Sequence, residues 1–385
     1  MTHRQDSHGV PSGLPLLSIV IPVWNVAAYL GPCLDSITRQ SFGDVEVIAV
    51  EGASTDSSDA VLDRRAAEMR AAGDARLTAI HLDPPPGEHR VGPGRARNAG
   101  VACAKGEYIW FVDGDDAIEA GCLAAIASRI SRDGPDVLLV GNVRVSADGK
   151  RTWPGHDQQR LRPDGGPYFT LAERPGVAEL SMASWNKIIR REFLLSTHAS
   201  YLEKNWPHED IPVSCEVLVA AQSIAILSTP CYRYREDRRG SAMMTSNSAR
   251  HSYAFDAWKG VLSAARKRLD ANDPAIAPDI YAVLFERSIW HLTHIYDKRS
   301  MGIRWPVVRR YVSRRFRRRF FAQMHEHYEA FKPDDFQRPP SFRGIKFVLI
   351  EKDAYLGYGL LAPLNGLRNW IARVRRSGLS AAART

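Results

Sequence analysis

The sequence predicts an α/β fold in which a mostly parallel sheet is flanked by helices and followed by an α-rich, basic C-terminal region. Two observations predict the sheet. Short apolar, β-branched runs alternate with helix-like stretches, and brief segments rich in Gly, Pro, Asp or Asn separate them. A third observation predicts the C-terminal region: by count, residues 251–385 carry a net charge of +13 in a chain whose total is +9.

Five apolar runs have the length and composition of strands that are buried on both faces. In chain order they are 17–23, 45–50, 77–82, 108–112 and 137–141. Helices are expected between them: one capped by Asn25, one that begins near Asp56, and one that follows the glycine-rich segment 92–100. Short alternating connections favour parallel pairing, and parallel sheets bind ligands beyond the carboxyl ends of their strands.

The bulk composition, 44% hydrophobic and 25% charged over 385 residues, is that of a globular protein with one large or two modest domains. The five cysteines are scattered without a C-x-x-C pair, which argues against a disulfide framework or a zinc site and fits a reducing compartment. Residues 1–15 are polar, lack the apolar core of a signal peptide and are expected to be disordered.

An acidic turn follows the fourth strand directly. It contains Asp113, Asp115 and Asp116, with only Gly114 interrupting the carboxylates. Carboxylates this close repel one another unless a cation offsets them, and Mg²⁺ and Mn²⁺ prefer carboxylates together with phosphate oxygens. Gly114 permits close approach of a ligand to the backbone. The alternative is that these acids only cap the next helix.

Four segments, in this order, carry a family resemblance: LSIVIPVWNVAAYLGPCLDSITRQSF, VEGASTDSS, GPGRARNAGVACAKGEYIWFVDGDD and WNKIIRREFL. Together they resemble glycosyltransferase family 2, through about residues 16–245, and are similar to bacterial cell-envelope and teichoic-acid-type enzymes. The resemblance implies an A-type, Rossmann-like catalytic domain over 16–250, followed by a helical basic region over 251–385. It also implies Mn²⁺- or Mg²⁺-dependent, inverting transfer from a nucleotide-diphosphate sugar, expected to be a UDP-sugar, to a glycan, polyol-phosphate polymer or lipid-linked acceptor.

The resemblance also implies which residues bind the donor. The first strand's motif lines the nucleotide, Arg97 faces the diphosphate, Asp115 binds the metal, and Asp113 lies toward the ribose or the metal. The segment YRYREDRRGSAMM, residues 232–244, resembles the family's mobile R-x-x-S segment, which can fold over the diphosphate, and an exposed charged loop is the alternative. The donor-binding set is therefore Pro22, Val23, Trp24, Asn25, Glu51, Arg97, Asp113, Gly114, Arg238 and Ser241. Core packing of Trp24 and a solvated Arg97 are the alternatives.

The acceptor side is carried over in the same way. Asp210 matches the family's general base, and Glu209 or His208 is the fallback. Trp185, Asn186 and Lys187 match the stretch near the acceptor. The alternative for Glu209 and Asp210 is a helix cap. The alternative for WNKIIRREF is a helix with Ile188 and Ile189 in the core and two surface arginines.

The turn VEGASTD departs from the family's usual V-D-D-G-S-T-D. Glu51 is the first acid, Gly52 replaces the second, and Ala53 occupies the glycine position. We expect the base or ribose to be read by Glu51 or by backbone groups. The departure leaves open a catalytically impaired member that acts as a membrane-surface scaffold. A sugar-nucleotide-making nucleotidyltransferase is disfavoured because the first strand lacks its glycine-rich loop.

The basic tail contains a stretch, 304–321, in which eight arginines by count interleave with aromatic and aliphatic residues. This pattern is typical of an amphipathic helix at an anionic membrane surface, and a helix packed on the catalytic domain is the alternative. We expect no nucleic-acid partner. Residues 356–376 form a second interfacial candidate or an oligomer contact. A lipid-linked acceptor would place the protein in the cytoplasm, peripheral on the inner face of the cell membrane. His291 and His294 are expected to pack rather than to bind metal.

Overall fold

The structure is a computed structural model. It describes residues 14–155, 157–158, 160–161, 168–203, 205–236, 248–271, 273, 276–299, 306–339, 342–358 and 361. The chain divides into two compact units. The first comprises Met1–Ser246 and Lys267–Ile280, and the second comprises Asn247–Arg266 and Tyr281–Thr385. The predicted disorder of residues 1–15 falls almost entirely outside the described residues, and the predicted domain boundary at 250 stays a prediction.

A single sheet organises the first unit, and the described residues contribute nine strands to it. The strands are β1 Leu17–Val23, β2 Val45–Glu51, β3 Leu77–His81, β4 Tyr108–Phe111, β5 Ala117–Ile118, β6 Val137–Val145, β7 Thr152–Pro154, β8 Lys187–Arg190 and β9 Ile224–Arg235. Their order is β3-β2-β1-β4-β8-β6-β9-β5, and β7 pairs with β6. All five strands that the apolar runs predicted are present.

The α/β class is confirmed, but the sheet is mixed rather than mostly parallel. Strands β1, β2, β3 and β4 pair in parallel, as do β6 and β9. Strand β8 is inserted antiparallel between β4 and β6, and β5 and β7 also pair antiparallel. The alternative of a helix over 185–193 is wrong at its centre: Ile188 and Ile189 are buried, but in β8, and the helix begins only at Arg191.

Six α-helices of the described first unit flank or follow these strands: α1 Ala27–Thr38, α2 Ser58–Ala71, α3 Pro93–Cys103, α4 Cys122–Asp133, α5 Arg191–Ser196 and α6 Asp210–Ala220. The core packs against the sheet through buried side chains such as Ile19, Leu34, Val47, Trp110 and Leu138. The continuous apolar strands thus form the centre of the unit, and their carboxyl ends carry the polar turns.

The turns after β1 and β2 are tied to each other. Asn25 has a φ of +52° and does not cap α1, contrary to expectation. Its Oδ1 accepts a hydrogen bond from the backbone N–H of Thr55 at 2.7 Å, whereas the Ala27 N–H at the helix start donates to Asp56 Oδ2 at 3.0 Å. The cap is therefore supplied by the neighbouring turn, which fixes one against the other.

The helices that follow are α7 Tyr253–Asp270, α8 Pro278–Arg299, α9 Pro306–Phe331 and α10 Phe342–Glu351. Buried aromatic side chains dominate the core of the second unit, among them Trp258, Phe285 and Phe321. His291 Nδ1 accepts a hydrogen bond from Trp258 Nε1 at 3.0 Å, and His294 stacks on Trp290, as expected for packing residues. Among the described helices, none is long and apolar enough to cross a membrane.

Candidate active site

The end of β9 supports the acidic turn that follows β4. Asp116 is buried and accepts hydrogen bonds from the Tyr232 hydroxyl and from the Arg235 backbone N–H, both at 2.7 Å. The Tyr232 oxygen in turn accepts the backbone N–H of Asp113 at 3.1 Å. Burial, and then the charges of Asp115 and Asp113, raise the pKa of Asp116 well above its usual range. Asp116 therefore anchors the turn, while Asp113 and Asp115 are only half-buried.

Arg235 completes this support. Its Nε donates to the backbone oxygen of Asp115 at 3.0 Å, its Nη1 donates to the Ala147 oxygen at 3.1 Å, and its guanidinium lies 5.0 Å from the Tyr29 ring. Gly114 is closely packed, because a Cβ there would lie 3.1 Å from Val26 Cγ2. The backbone of the acidic turn is thus fixed on both sides.

Tyr232 and Arg235 were missed as supports of the turn. The sequence expectation placed YRYR at the start of the mobile R-x-x-S segment, but residues 232–235 are the last residues of β9. The Tyr-Arg alternation, which has the period of a strand, was the available signal. The two residues of that segment predicted to contact the donor, Arg238 and Ser241, lie outside the described residues.

Arg97 joins two acidic groups that are far apart in the chain. It lies on α3 and is 6% exposed. Its Nη2 donates to Asp113 Oδ1 at 2.9 Å, and its Nη1 donates to Glu209 Oε1 at 2.5 Å. Burial acts to lower the pKa of Arg97, but the charges of Asp113 and Glu209 more than offset it and leave that pKa raised. The guanidinium therefore bridges the acidic turn and the start of α6.

Asp210, the first residue of α6, lies beside this bridge. Its pKa is raised to about 7, first by burial and then by the negative charge of Glu209, while Arg97 and Lys187 act in the opposite direction. A carboxylate that titrates near neutrality is suited to general base catalysis. Because one oxygen of Glu209 is committed to Arg97, the geometry favours Asp210 over Glu209 as the proton acceptor. The other fallback, His208, is buried in a left-handed conformation.

Lys187 and Asn186 form a buried pair next to Asp210. The Lys187 ammonium, 1% exposed, donates to Asn186 Oδ1 at 2.7 Å and to the Ala183 oxygen at 2.9 Å. The Asn186 amide donates to the Ser181 oxygen at 2.9 Å. Both side chains hold the loop before β8, and the lysine also supplies positive charge that lowers the pKa of Asp210.

Trp185 lies over the end of β9. Its ring stacks on Tyr232, with centroids 4.6 Å apart and an interplanar angle of 11°, and on Tyr234 at 5.8 Å and 24°. The two tyrosines are two residues apart in one strand, so they point to the same face. Trp185 is half-buried, and its backbone oxygen accepts the Trp110 indole N–H at 2.7 Å. An aromatic layer thus adjoins the acidic turn.

Glu51 lies at the end of β2 and is 4% exposed. Its two oxygens accept the backbone N–H groups of Ala53 at 3.1 Å and Ser54 at 2.6 Å, and His81 Nδ1 lies 3.7 Å away. Ala53 has a φ of +62°, the left-handed conformation that favours glycine. The carboxylate therefore organises its own turn, and the glycine position of the motif keeps its left-handed geometry although alanine occupies it.

Of the residues predicted to line the nucleotide, Pro22 and Val23 end β1, and Trp24 and Asn25 lie in the turn that follows. Val23 is buried and Pro22 is half-buried. The Arg90 guanidinium lies 4.3 Å above the Trp24 ring, and the buried Trp24 Nε1 has no hydrogen-bond partner among the residues that the structure describes. Trp24 thus presents a buried donor and a cation-covered ring next to the Asn25 turn.

The described residues contain no group of three or more His, Cys, Asp or Glu side chains arranged to hold a metal ion. A Mg²⁺ or Mn²⁺ site that uses substrate phosphates needs only one or two protein carboxylates. Burial, and then the negative charges of Asp116, Asp115 and Asp113, raise the pKa of Tyr234. This concentration of negative charge fits a divalent cation held jointly with a diphosphate.

The comparisons with known proteins agree with the motifs. Residues 18–195 match the family described as Glycosyl transferase family 2. The chain is 28% identical to the uncharacterised glycosyltransferase EpsJ of Bacillus subtilis over 225 residues, which are 58% of this chain and 62% of EpsJ. It is 38% identical to a PGL/p-HBAD biosynthesis glycosyltransferase of Mycobacterium bovis over 148 residues, which are 38% of this chain and 54% of that protein. The chain thus spans about three fifths of the length of EpsJ.

Among solved structures, residues 1–349 of Staphylococcus aureus TarS in complex with UDP-GlcNAc superpose with a TM-score of 0.65 and 20% identity, covering 89% of each chain. The same TarS fragment in complex with UDP also gives a TM-score of 0.65. These matches confirm the predicted A-type fold, and the family match confirms the resemblance seen in the four segments. Residues 18–195 of this chain are therefore similar to the glycosyl transferase family 2 domain, the same family that the four segments resemble.

Proposed function

We propose that this chain is a metal-dependent, inverting glycosyltransferase that moves a sugar from a UDP-sugar to a hydroxyl of a cell-envelope glycan, polyol-phosphate polymer or lipid-linked acceptor. The observation that carries the proposal is the Arg97 bridge. The Arg97 guanidinium bonds both Asp113, on the donor side, and Glu209, the neighbour of Asp210. The UDP-GlcNAc bound by TarS supports a UDP-sugar as donor. We place the protein in the cytoplasm, at the inner face of the cell membrane.

The reaction is a single displacement. Asp210 takes the proton of the acceptor hydroxyl as that oxygen attacks the anomeric carbon, and the bond from this carbon to the diphosphate oxygen breaks on the opposite face. The configuration therefore inverts. Arg97 keeps Asp113 and Glu209 in place and supplies fixed positive charge near the departing diphosphate. A divalent cation, Mn²⁺ or Mg²⁺, held by Asp115 with Asp113, would neutralise charge on the leaving group when bound.

Glu51 acts on the donor through its turn. Its carboxylate accepts the N–H groups of Ala53 and Ser54, so the backbone of this turn is shaped before the nucleotide arrives. Removing the carboxylate should therefore loosen donor binding and leave the chemical step nearly unchanged, because Asp210 and Arg97 belong to other elements. Trp24 and Asn25 line the same lip from β1, and Trp185 and Lys187 line the acceptor side.

Donor binding tests the proposal directly. Thermal unfolding is followed with a panel of uridine, guanosine, cytidine and thymidine diphosphate sugars, with and without Mn²⁺. A donor at about 100 times its Kd stabilises a protein by about 2.7 kcal/mol, so a rise of several degrees in Tm is expected for uridine diphosphate sugars with metal. Asp115→Asn should abolish the rise, whereas Asp59→Asn, an exposed acid in the first turn of α2, should keep it.

A catalytically impaired scaffold is the second candidate. The departure at Gly52 and Ala53, and a Glu51 carboxylate that already bonds its own turn, favour it. If no nucleotide sugar changes the Tm at millimolar metal, the proposal of an enzyme is wrong and the scaffold function is retained. If a donor binds but neither transfer nor hydrolysis of the donor is observed, the role of Asp210 is overturned while the donor site stands.

A further inference from the structure

The second unit exposes a leucine in an ordered part of the chain. Leu356 is 80% exposed, the largest exposure among the large apolar side chains of the described residues. It lies in a helical turn after α10, and Ile345 on α10 is 50% exposed. Single exposed apolar residues are common on protein surfaces, so these two matter only if they share a surface and if that surface is held rigidly.

The turn that carries Leu356 is anchored on both sides of it. Tyr358 is buried, and its ring lies 5.2 Å from the ring of Phe321 on α9 and 5.2 Å from that of Tyr296 on α8. Tyr355 also contacts Phe321, at 5.6 Å. Because the residues at 355 and 358 point inward, the leucine between them points outward. Its exposure follows from the packing of its neighbours and not from a frayed helix end.

Backbone hydrogen bonds hold the same turn. The Ala354 N–H donates to the Leu349 oxygen at 2.8 Å, and the Tyr358 N–H donates to the Ala354 oxygen at 2.9 Å. Asp353 makes the reversal with a φ of +47°. A left-handed non-glycine residue persists only where the surrounding structure fixes it. The chain therefore folds back onto α10 in a defined conformation.

Ile345 and Leu356 lie on adjoining segments, α10 and the turn that folds back onto it. Ile345 and Leu349 are one helical turn apart on α10, so they share a face. A Cβ at Gly357 would lie 3.2 Å from Leu349 Cδ2, which places the returning turn beside that face. Leu356 is the neighbour of Gly357. Ile345 and Leu349 on α10 and Leu356 on the adjoining turn are together called the apolar strip.

Cations lie beside the strip, because Lys346 follows Ile345 directly and Lys352 is three residues after Leu349. Lys352 and Arg318 are exposed, and the ammonium of Lys346 lies 5.5 Å from the Tyr358 ring. Arg318 precedes Phe321 by three residues on α9, one helical turn from the ring that Tyr355 and Tyr358 contact. The acids within 342–358 are Glu351, which forms ion pairs with Lys332 and Arg338, and Asp353.

We infer that this apolar–basic face, formed by Ile345, Leu349 and Leu356 with Arg318, Lys346 and Lys352, docks on the surface of an anionic lipid bilayer. Apolar side chains that enter the interface while neighbouring cations contact anionic headgroups are the two signals that together give stable peripheral binding. The net charge of +13 over residues 251–385 gives the long-range attraction. The docking is independent of the proposed transfer reaction.

Vesicle sedimentation of the full chain tests the inference. Vesicles of neutral phosphatidylcholine are compared with vesicles that contain about 30% phosphatidylglycerol at low salt, and the anionic vesicles should bind the chain at least about tenfold more strongly. Leu356→Asp should weaken binding to the anionic vesicles about tenfold, because it removes a leucine that docking would bury and adds a repelled charge. Lys352→Glu should weaken binding several-fold, and the difference should shrink at about 0.5 M salt.

Matched controls are available in the same chain. Leu195→Asp changes another exposed leucine, on α5, and Lys259→Glu reverses another exposed lysine, on α7; both should bind vesicles like the wild type. Equal binding to neutral and anionic vesicles overturns the inference, as does wild-type binding by Leu356→Asp. If Leu356→Asp instead converts a dimer to a monomer without changing sedimentation, the face belongs to a second copy of this chain.

Failure of the membrane-docking proposal and failure of the proposed transferase function can be distinguished by experiment. Donor hydrolysis by Leu356→Asp, measured without vesicles, should equal that of the wild type, since the substitution leaves the acidic turn and Asp210 untouched. A chain that binds anionic vesicles through Leu356 but turns over no donor retains the docking inference and loses the enzymatic one. A chain with normal donor turnover and no vesicle binding does the reverse.

Discussion

Turnover should fall on the acid side of neutrality, because Asp210 can accept the acceptor's proton only when it is ionised. Its pKa is raised to about 7 by burial and by the adjacent Glu209, against the opposing charges of Arg97 and Lys187. A carboxylate with this pKa is about 90% ionised at pH 8 and about 10% ionised at pH 6. kcat/KM should therefore fall about tenfold between these two values, whereas an aspartate of ordinary pKa would give a flat profile.

A substitution next to Asp210 should move this acid limb. Lys187→Met removes a buried positive charge that lowers the pKa of Asp210, so the limb should shift to higher pH, by about 0.5–1 unit. Lys150→Met, which changes an exposed lysine in the turn between β6 and β7, should leave the limb in place. The assay is the initial rate of UDP release from a saturable donor across pH 5.5–9 at constant ionic strength.

Two results would refute this reasoning. The first is a wild-type profile that is flat between pH 6 and pH 8, which would mean that Asp210 is ionised throughout or takes no part. The second is residual turnover by Asp210→Asn that keeps the wild-type acid limb, which would assign the limb to another group.

Four further predictions concern stability and binding. Asp210→Asn should stabilise the fold more at pH 8 than at pH 5, by about 1–2 kcal/mol in urea unfolding, because a raised folded-state pKa gives stability at low pH that is lost as pH rises through about 7; an equal effect at both pH values would contradict it. Ala53→Gly should raise the free energy of unfolding by up to about 1 kcal/mol, since it relieves a left-handed alanine; a lower value would show that the turn is unstrained. Tyr232→Phe should cost about 1–3 kcal/mol of stability by leaving Asp116 and the Asp113 N–H without their shared partner, and unchanged urea unfolding would argue against that network. Glu51→Ala should raise the donor Kd by calorimetry more than it lowers kcat, and an unchanged Kd would count against its part in shaping the lip.

The central strands and the similarity to the family were predictable because their signals are local. A continuous apolar run such as 17–23 or 108–112 needs no partner to be recognised as a buried strand. The residues that follow such runs lie at the carboxyl edge of the sheet, so sequence order alone predicts that Asp113 and Glu51 lie along the same edge. Alternating strands and helices also predicted the α/β class correctly.

The mixed pairing was not predictable, because it depends on which strands meet across long stretches of chain. Strand β8 has only four residues and pairs antiparallel with both β4 and β6, within a sheet that the sequence predicted to be mostly parallel. Strand β9 was partly assigned to a mobile segment, although its tyrosines stack under Trp185. A short strand has too few residues for its alternating pattern to be recognised against an interpretation based on a motif.

The contacts within the site were also beyond sequence reasoning. The resemblance gave Arg97 a role toward the diphosphate, but its pairing with Glu209 joins residues 112 positions apart. Asparagine is a common residue type at helix N-caps, yet Asp56 from the next turn, and not Asn25, caps α1. These hydrogen-bond partners depend on the distances between turns. The pairing of strands in the sheet determines those distances, and a local sequence pattern does not contain them.

The most direct test of the central claim is the rate of UDP release from a UDP-sugar by the wild type, by Asp210→Asn and by the matched surface variant Asp59→Asn, with Mn²⁺ present and donor binding checked in the same samples. Removing a general base typically costs 10²–10⁴-fold in rate, so Asp210→Asn should bind the donor normally and release UDP at least about a hundredfold more slowly, while Asp59→Asn should match the wild type. Near-normal release by Asp210→Asn would contradict the claim that the carboxylate beside the Arg97 bridge performs the transfer.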